Sequence, residues 1–283
     1  MDTASETQPQ MSMNLYALLV ANSVLMYDHV ATLTEEITFI WCCPKAPFAI
    51  LFLVNRYFAL LSNIYVLSIN SLPGSESCPK YLLSRELLIF VQQIIVCFML
   101  TLRTYALYGC SKRLITWMVI ISFALVGLAL AGSSGHSLST AVGVPGFGCY
   151  ESYTTETAVS PGLAWASLFV YELLIFALTV FRICNTKGLS LVMSRRNILD
   201  IIFQDGAIYF VAMTVFNIPN ILTFYCGSDT IRGSLATFTS CMSVTLISRL
   251  VLNLHKPIDT GISSSLIPDD DSGSAVLTSR VNV

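Results

Sequence analysis

The stretch LITWMVIISFALVGLALA, residues 114–131, runs without a charge or a proline directly after the basic pair Lys112-Arg113. As one helix rising 1.5 Å per residue, such a run spans most of a hydrocarbon core about 30 Å thick. Working outward, six more apolar runs follow the same pattern, at about 15–30, 48–69, 83–107, 163–181, 207–225 and 235–254. Hydrophobic residues make up 54% of the 283-residue chain and charged residues 11%, with a mean hydropathy of +0.70. A soluble domain of this size needs far more charge to cover its surface. Unbroken runs of this length lack the two-residue alternation of lipid-facing strands, so helices are expected rather than a barrel. The expectation is an all-α, polytopic bundle of seven transmembrane helices.

Breakers fall between the runs: Pro44 and Pro47 before the second, Pro73-Gly74 after it, Pro161-Gly162 before the fifth. The expected organisation is a short polar segment at 1–13, a membrane domain at 14–256 and a disordered cytosolic tail at 257–283. That tail is rich in Ser, Gly and Asp, and its Asp269-Asp270-Asp271-Ser272 run offers a phosphorylation site or a plain solvated end. Residues 1–13 carry Asp2 and Glu6 but no basic residue, so the first run is expected to act as an uncleaved anchor.

Lysine and arginine in the short loops set the orientation. Lys45, Lys112, Arg113, Arg182, Lys187, Arg195, Arg196, Arg249 and Lys256 fall on one side, and Lys80, Arg85 and Arg232 on the other. This bias puts the N-terminus outside and the C-terminus in the cytosol. Glu35 and Glu36, in the first inner loop, fit it poorly. Cys78 and Cys149 both fall on the outer side and are expected to pair, although Cys226 at the same face leaves a second pairing open. Cys42, Cys43, Cys110 and Cys184 border the inner face, where thiols take palmitate or stay free. Cys97 and Cys241 read as small packing residues.

Ionisable groups inside the runs cost about 2.5–3.5 kcal/mol each on insertion scales, so each calls for a partner. Glu172 sits near the middle of the fifth run, with Trp165 and Thr179 on its face. Arg56 lies about eight residues into the second run, close enough to the border to snorkel or to meet Asp28. Arg103 shares a face with Gln92, while Glu86 and Gln93 form a neighbouring polar face. The sixth run begins at Asp205 and carries Asn217-Ile218-Pro219-Asn220, where the proline frees a carbonyl and kinks the helix. The seventh run, with Thr237, Thr239, Ser240, Ser243, Thr245, Ser248, Arg249 and Asn253, is expected to face the bundle interior. Glu172, Arg56, Arg103, Asp205, Asn217, Asn220 and Arg249 form the candidate intramembrane polar site. These groups line a cavity or act as interhelical glue, worth about 0.6 kcal/mol per hydrogen bond.

Several chemistries lack their residues. Retinal attachment needs a lysine deep in the bundle, and all five lysines fall at borders or in loops. The three histidines, His29, His136 and His255, are too scattered for a metal centre. There is no Walker-type phosphate loop, and Gly132-Ser133-Ser134-Gly135-His136 lacks nucleophile-elbow spacing. No glycosylation sequon occurs in the outer loops, and no internal repeat points to an inverted-repeat transporter. A pI near 5.9 without a basic stripe argues against nucleic acid. No cofactor and no enzymatic activity are expected.

Tyr27-Asp28-His29, Thr32-Leu33, Glu35-Glu36, Ile40-Trp41, Leu51-Phe52 and Asn55-Arg56-Tyr57 carry a resemblance. Looser matches follow at residues 102–108 (LRTYALY), at Asp205-Gly206 with Tyr209-Phe210, and at residues 248–254 (SRLVLNL). Together they resemble the fungal, basidiomycete multi-pass membrane proteins of unknown function. The resemblance implies an integral membrane protein and a shared scaffold near the inner border, with Arg56 and Arg103 placed to meet acids such as Asp28 or Asp205.

The leading expectation is a receptor-like seven-helix protein of the plasma membrane or an endomembrane. It would be embedded in the lipid bilayer, sense a small ligand on the outer side and engage a cytosolic protein at the basic inner loops. Leu102-Arg103-Thr104 has no acid before the arginine and the seventh run has no Asn-Pro pair, unlike ordinary G-protein-coupled receptors. The alternatives are a small-solute or proton transporter working through Glu172, and a structural or lipid-organising protein.

Overall fold

The computed structural model of the protein describes residues 3–41, 47–70, 78–133, 140–144, 148–187, 195–229 and 231–264. Cys42, Cys43, Pro44, Lys45, Pro73-Gly74, His136 and the acidic tail run lie outside the described residues.

Long helices account for most of the described chain. They are α1 (Thr3–Ala31), α3 (Pro47–Asn70), α4 (Cys78–Leu107), α5 (Lys112–Ser133), α6 (Val159–Lys187), α7 (Arg195–Cys226) and α8 (Ala236–Ser264). A four-residue helix, α2 (Leu33–Glu36), continues directly into a π-helical turn (Ile37–Trp41) between α1 and α3. Five of them, α3 to α7, contain stretches long and apolar enough to cross a membrane. The first and seventh expected spans, in α1 and α8, fall short of that apolarity among the described residues.

Prolines sit where a helix tolerates them. Pro47 opens α3, where the missing N–H is one the helix would leave free anyway. Pro161, expected as a breaker ahead of the fifth run, lies in the first turn of α6, which begins at Val159. Pro219 stays inside α7, and Thr239 of α8 donates at 3.4 Å to the Phe216 carbonyl just before it. At the crossing of α6 and α7, Gly162 lets the backbone approach Tyr225. A methyl there would stand 3.1 Å from the Tyr225 ring.

The structure adds to the sequence reading at three places. The bundle is not purely helical: Thr140–Val144 (β1) and Gly148–Ser152 (β2) form an antiparallel hairpin, with Gly143 opposite Cys149. Alternating Thr140, Val142 and Val144 suit a short strand, but five residues are too few to stand out among long apolar runs. The polar segment 1–13 is helical from Thr3 onward. Finally, α8 does not stop at Leu254 but continues through Pro257 to Ser264.

Helix α8 packs against α1, α3, α4 and α7, while α4 adds contacts to α3, α5 and α6. The hairpin and the α7–α8 turn meet at one end, where Tyr153 N–H donates to the Asp229 carbonyl at 3.2 Å. At the other end α1 meets α8, and α4 meets α6. The polarity is inverted relative to a soluble domain. Asn55, Gln92, Glu172, Asn217 and Asn220 are buried, while Leu61, Phe123, Val170 and Val215 point outward. Lipid is the solvent that stabilises this arrangement.

Candidate functional site

The hairpin reaches the bundle through a disulfide between Cys78, the first residue of α4, and Cys149 of β2. This crosslink sets a polar cluster over the helix ends. Arg85 of α4 donates to Glu151 of β2 at 3.2 Å, and through Nε and Nη2 to the Thr237 hydroxyl of α8 at 3.2 and 3.1 Å. The Tyr153 hydroxyl contacts Glu151 at 2.6 Å and Glu86 at 2.9 Å. Burial above all, and then the charges of Glu151 and Glu86, push the Tyr153 phenol well above its ordinary range. Arg232, itself buried, ties this layer to the α7–α8 turn through the Tyr153 carbonyl (2.9 Å) and Asp229 (2.8 Å). Gly233 there has φ +74°, and a methyl on it would crowd the Tyr153 and Phe224 rings.

Beneath the cluster lies a cavity of about 20 Å³, room for about one water. Its polar wall is Ser62 and Asn63 of α3, Arg85 and Gln92 of α4, and Thr237 and Ser240 of α8. Gln92 is 3% exposed; its amide N–H donates to Asn55 at 2.7 Å, and its carbonyl oxygen has no partner among the described residues.

Midway along the bundle, Glu172 of α6 is 4% exposed and accepts from Asn217 of α7 at 3.2 Å. The group opposite it is therefore an amide and not an arginine. Asn220, one turn on, is fully buried with neither amide atom paired among the described residues. Beside this pair, Tyr171 and Thr101 share a hydrogen bond of 2.7 Å across α6 and α4. Trp165 and Thr179 do not join Glu172. Trp165 packs with Tyr153 and Phe224, and Thr179 bonds back to the Ile175 carbonyl.

The far end holds a second network. Glu36, fully buried, pairs with Arg56 at 2.8 Å and accepts from the Tyr57 hydroxyl at 3.0 Å and the Trp41 indole at 3.1 Å. Arg56 also donates to the His29 carbonyl at 2.7 Å and its Nδ1 at 3.1 Å. Asp28, expected opposite Arg56, is instead the partner of Arg249 on α8. Nearby, Asn253 donates to the Tyr209 hydroxyl at 2.6 Å. Arg103 meets no acid in this network; its guanidinium lies 5.3 Å from the centre of the Phe210 ring. Asp205 belongs to α7, but its side chain lies outside the described residues.

Most of this second network comes from one short segment. Residues 16–61 match the model of a family of unknown function (DUF6533). The matched segment, a minority of the chain, holds Asp28, His29, Glu36, Trp41, Asn55, Arg56 and Tyr57. It is similar to that family over the region that builds the buried Glu36–Arg56 pair. No curated protein and no solved structure matches the chain.

The candidate polar residues thus divide among separate layers. Arg56 and Arg249 belong to the far end, Glu172, Asn217 and Asn220 to the middle, and Cys78 and Cys149 to the hairpin end. Sequence reasoning misses Glu36, Arg85, Glu86, Glu151 and Tyr153 as site residues. By sequence alone Arg85 reads as a loop charge and Glu36 as an awkward one. No local pattern marks them, because their partners lie far off in sequence: Glu151 is 66 residues from Arg85 and Glu86 is 67 from Tyr153.

Proposed function

We propose that the chain is a seven-helix integral membrane protein that works as a receptor-like sensor, with the hairpin end facing away from the cytosol. The observation that carries this reading is the water-sized cavity beneath the hairpin, whose wall mixes polar groups of α3, α4 and α8 with Val66, Leu88 and Ile89 and whose roof is the Arg85–Glu151 pair. A small polar ligand bound at that roof would compete for Arg85 and reach α8 through Thr237. Helix α8 runs on to the opposite end, where Arg249 holds Asp28 of α1, so a shift at one end reaches the other. The basic loops at that far end are the side a cytosolic partner would meet. The resemblance of residues 27–57 to fungal membrane proteins makes a fungal host part of this reading.

Orientation is tested by thiol labelling. Cys226 is exposed at the hairpin end, and Cys110 and Cys184 are exposed at the other. A membrane-impermeant maleimide should label Cys226 in intact cells; labelling only after permeabilisation overturns the orientation. Sensing is tested by melting the detergent-purified protein against a panel of small polar metabolites. A stabilising compound should lose its effect in Ser240→Ala or Gln92→Ala, and a panel without any such compound counts against a receptor.

Asn217 Oδ1 and both amide atoms of Asn220, without partners among the described residues and close to Glu172, favour one second reading, a proton-linked transporter. Under it, Glu172→Gln abolishes flux in liposomes while sparing the fold; unchanged flux removes Glu172 as carrier.

A further inference from the structure

Residues 33–41, expected as a cytosol-exposed loop, are helical, and every fourth residue repeats the same environment. Thr32, Glu36 and Ile40 are buried against the bundle, the last two 0% and 1% exposed. Leu33, Ile37 and Trp41 form an apolar stripe that is 37%, 47% and 52% exposed. Thr34 and Thr38 are exposed beside it, and the Thr38 hydroxyl bonds back to the Thr34 carbonyl at 2.8 Å. The open side of this segment is thus split into an apolar strip and a polar strip, which neither water nor hydrocarbon alone would favour.

We propose that residues 33–41 are an interfacial anchor lying in the plane of the bilayer, with Leu33, Ile37 and Trp41 set into lipid. Two observations select the lipid surface over another protein as the occupant. The flanking helices turn apolar side chains outward as well, Val30 of α1 and Ile50 and Val54 of α3. The Trp41 indole N–H is already satisfied by Glu36, so the ring can sink without leaving a polar edge unpaired. The threonine strip then faces the headgroups, as on a helix seated about 5–10 Å deep at the acyl boundary. No lysine or arginine occurs in 33–41. Insertion is therefore driven by apolar burial and does not depend on anionic lipid. The inference rests only on the chain being membrane-embedded and holds for either orientation.

The experiment uses the full chain reconstituted in phosphatidylcholine vesicles. The chain has three tryptophans, so the double variant Trp117→Phe/Trp165→Phe leaves Trp41 as the sole one. Lipids brominated near the headgroup end of the acyl chain should quench Trp41, and aqueous iodide should quench it far less than free tryptophan. Adding anionic lipid should leave both values unchanged. Iodide quenching like that of free tryptophan, or no quenching by either agent, overturns the proposal; the second result means that protein covers the stripe. If the double variant does not fold, photoactivatable phosphatidylcholine is applied to the unmodified protein. Lipid adducts on residues 33, 37 or 41 support the anchor, and their absence beside adducts on α3 refutes it.

Discussion

Glu36 shows what a single buried charge demands. It is fully enclosed, and its two oxygens serve Arg56, Tyr57 and Trp41. Removing one partner of such a pair leaves the other uncompensated, at a cost of about 3–5 kcal/mol. Glu36→Gln should therefore lower the Tm of the detergent-purified protein markedly, and adding Arg56→Met should restore much of the loss; equal Tm for wild type and Glu36→Gln would contradict the pairing. In the sequence, Glu36 looks like an exception to the positive-inside rule, because counting loop charges assumes that they face water. Once it is folded inward against Arg56, it is no longer a loop charge. At the other end, the Tyr153 phenol has a raised pKa, so folding favours its neutral form. That contribution is complete below about pH 10 and is lost as the pH rises further, because only the unfolded chain gives up the proton there. Subtracting the alkaline titration of Tyr153→Phe from that of wild type, followed at 295 nm, should reveal no tyrosine ionising with an ordinary midpoint while the fold persists.

At the scale of elements, the five most apolar helices are legible from length and composition; four keep bounds within about six residues of the expected ones, whereas α7 begins at Arg195, well before the expected start at 207. Helices α1 and α8 are legible for a different reason. Their polar residues alternate with apolar ones, and α8 is enclosed by α1, α3, α4 and α7, so Thr237, Thr239, Ser240, Ser243, Thr245 and Ser248 are buried away from lipid. A helix in that position has no need of apolarity on every face. The hairpin is not legible because two five-residue strands supply little periodicity, and its position comes from the disulfide. Closing Cys78 to Cys149 constrains a loop 71 residues apart in sequence. Loss of such a link costs about 2–5 kcal/mol. Cys78→Ser should thus lower the Tm and raise proteolysis within residues 140–152. An unchanged melting curve and cleavage pattern would mean that Arg85 and Tyr153 hold the hairpin unaided.

Over the whole molecule, the apolar surface and polar interior are two sides of one partition. Phe123 on α5 is 73% exposed among similarly outward-facing neighbours. Phe123→Arg should cost about 2.5–3.5 kcal/mol of insertion and reduce the membrane-integrated fraction, whereas Phe123→Leu should leave it unchanged. Equal integration of both would mean that α5 does not face lipid. The candidate polar site is legible in the sequence only as a set of costly residues. Which of them pair depends on contacts between helices far apart in sequence, and no local pattern encodes those. Asp28 meets Arg249 and not Arg56 because α1 lies along α8.

That last contact has a temporal side. Ribosomes emit α1 first and α8 last, so Asp28 waits through some 221 residues of synthesis before its guanidinium arrives. Until then the carboxylate lacks the partner that it has in the finished fold. A chain cut short anywhere before Arg249 never forms the ion pair that fastens α1 to α8.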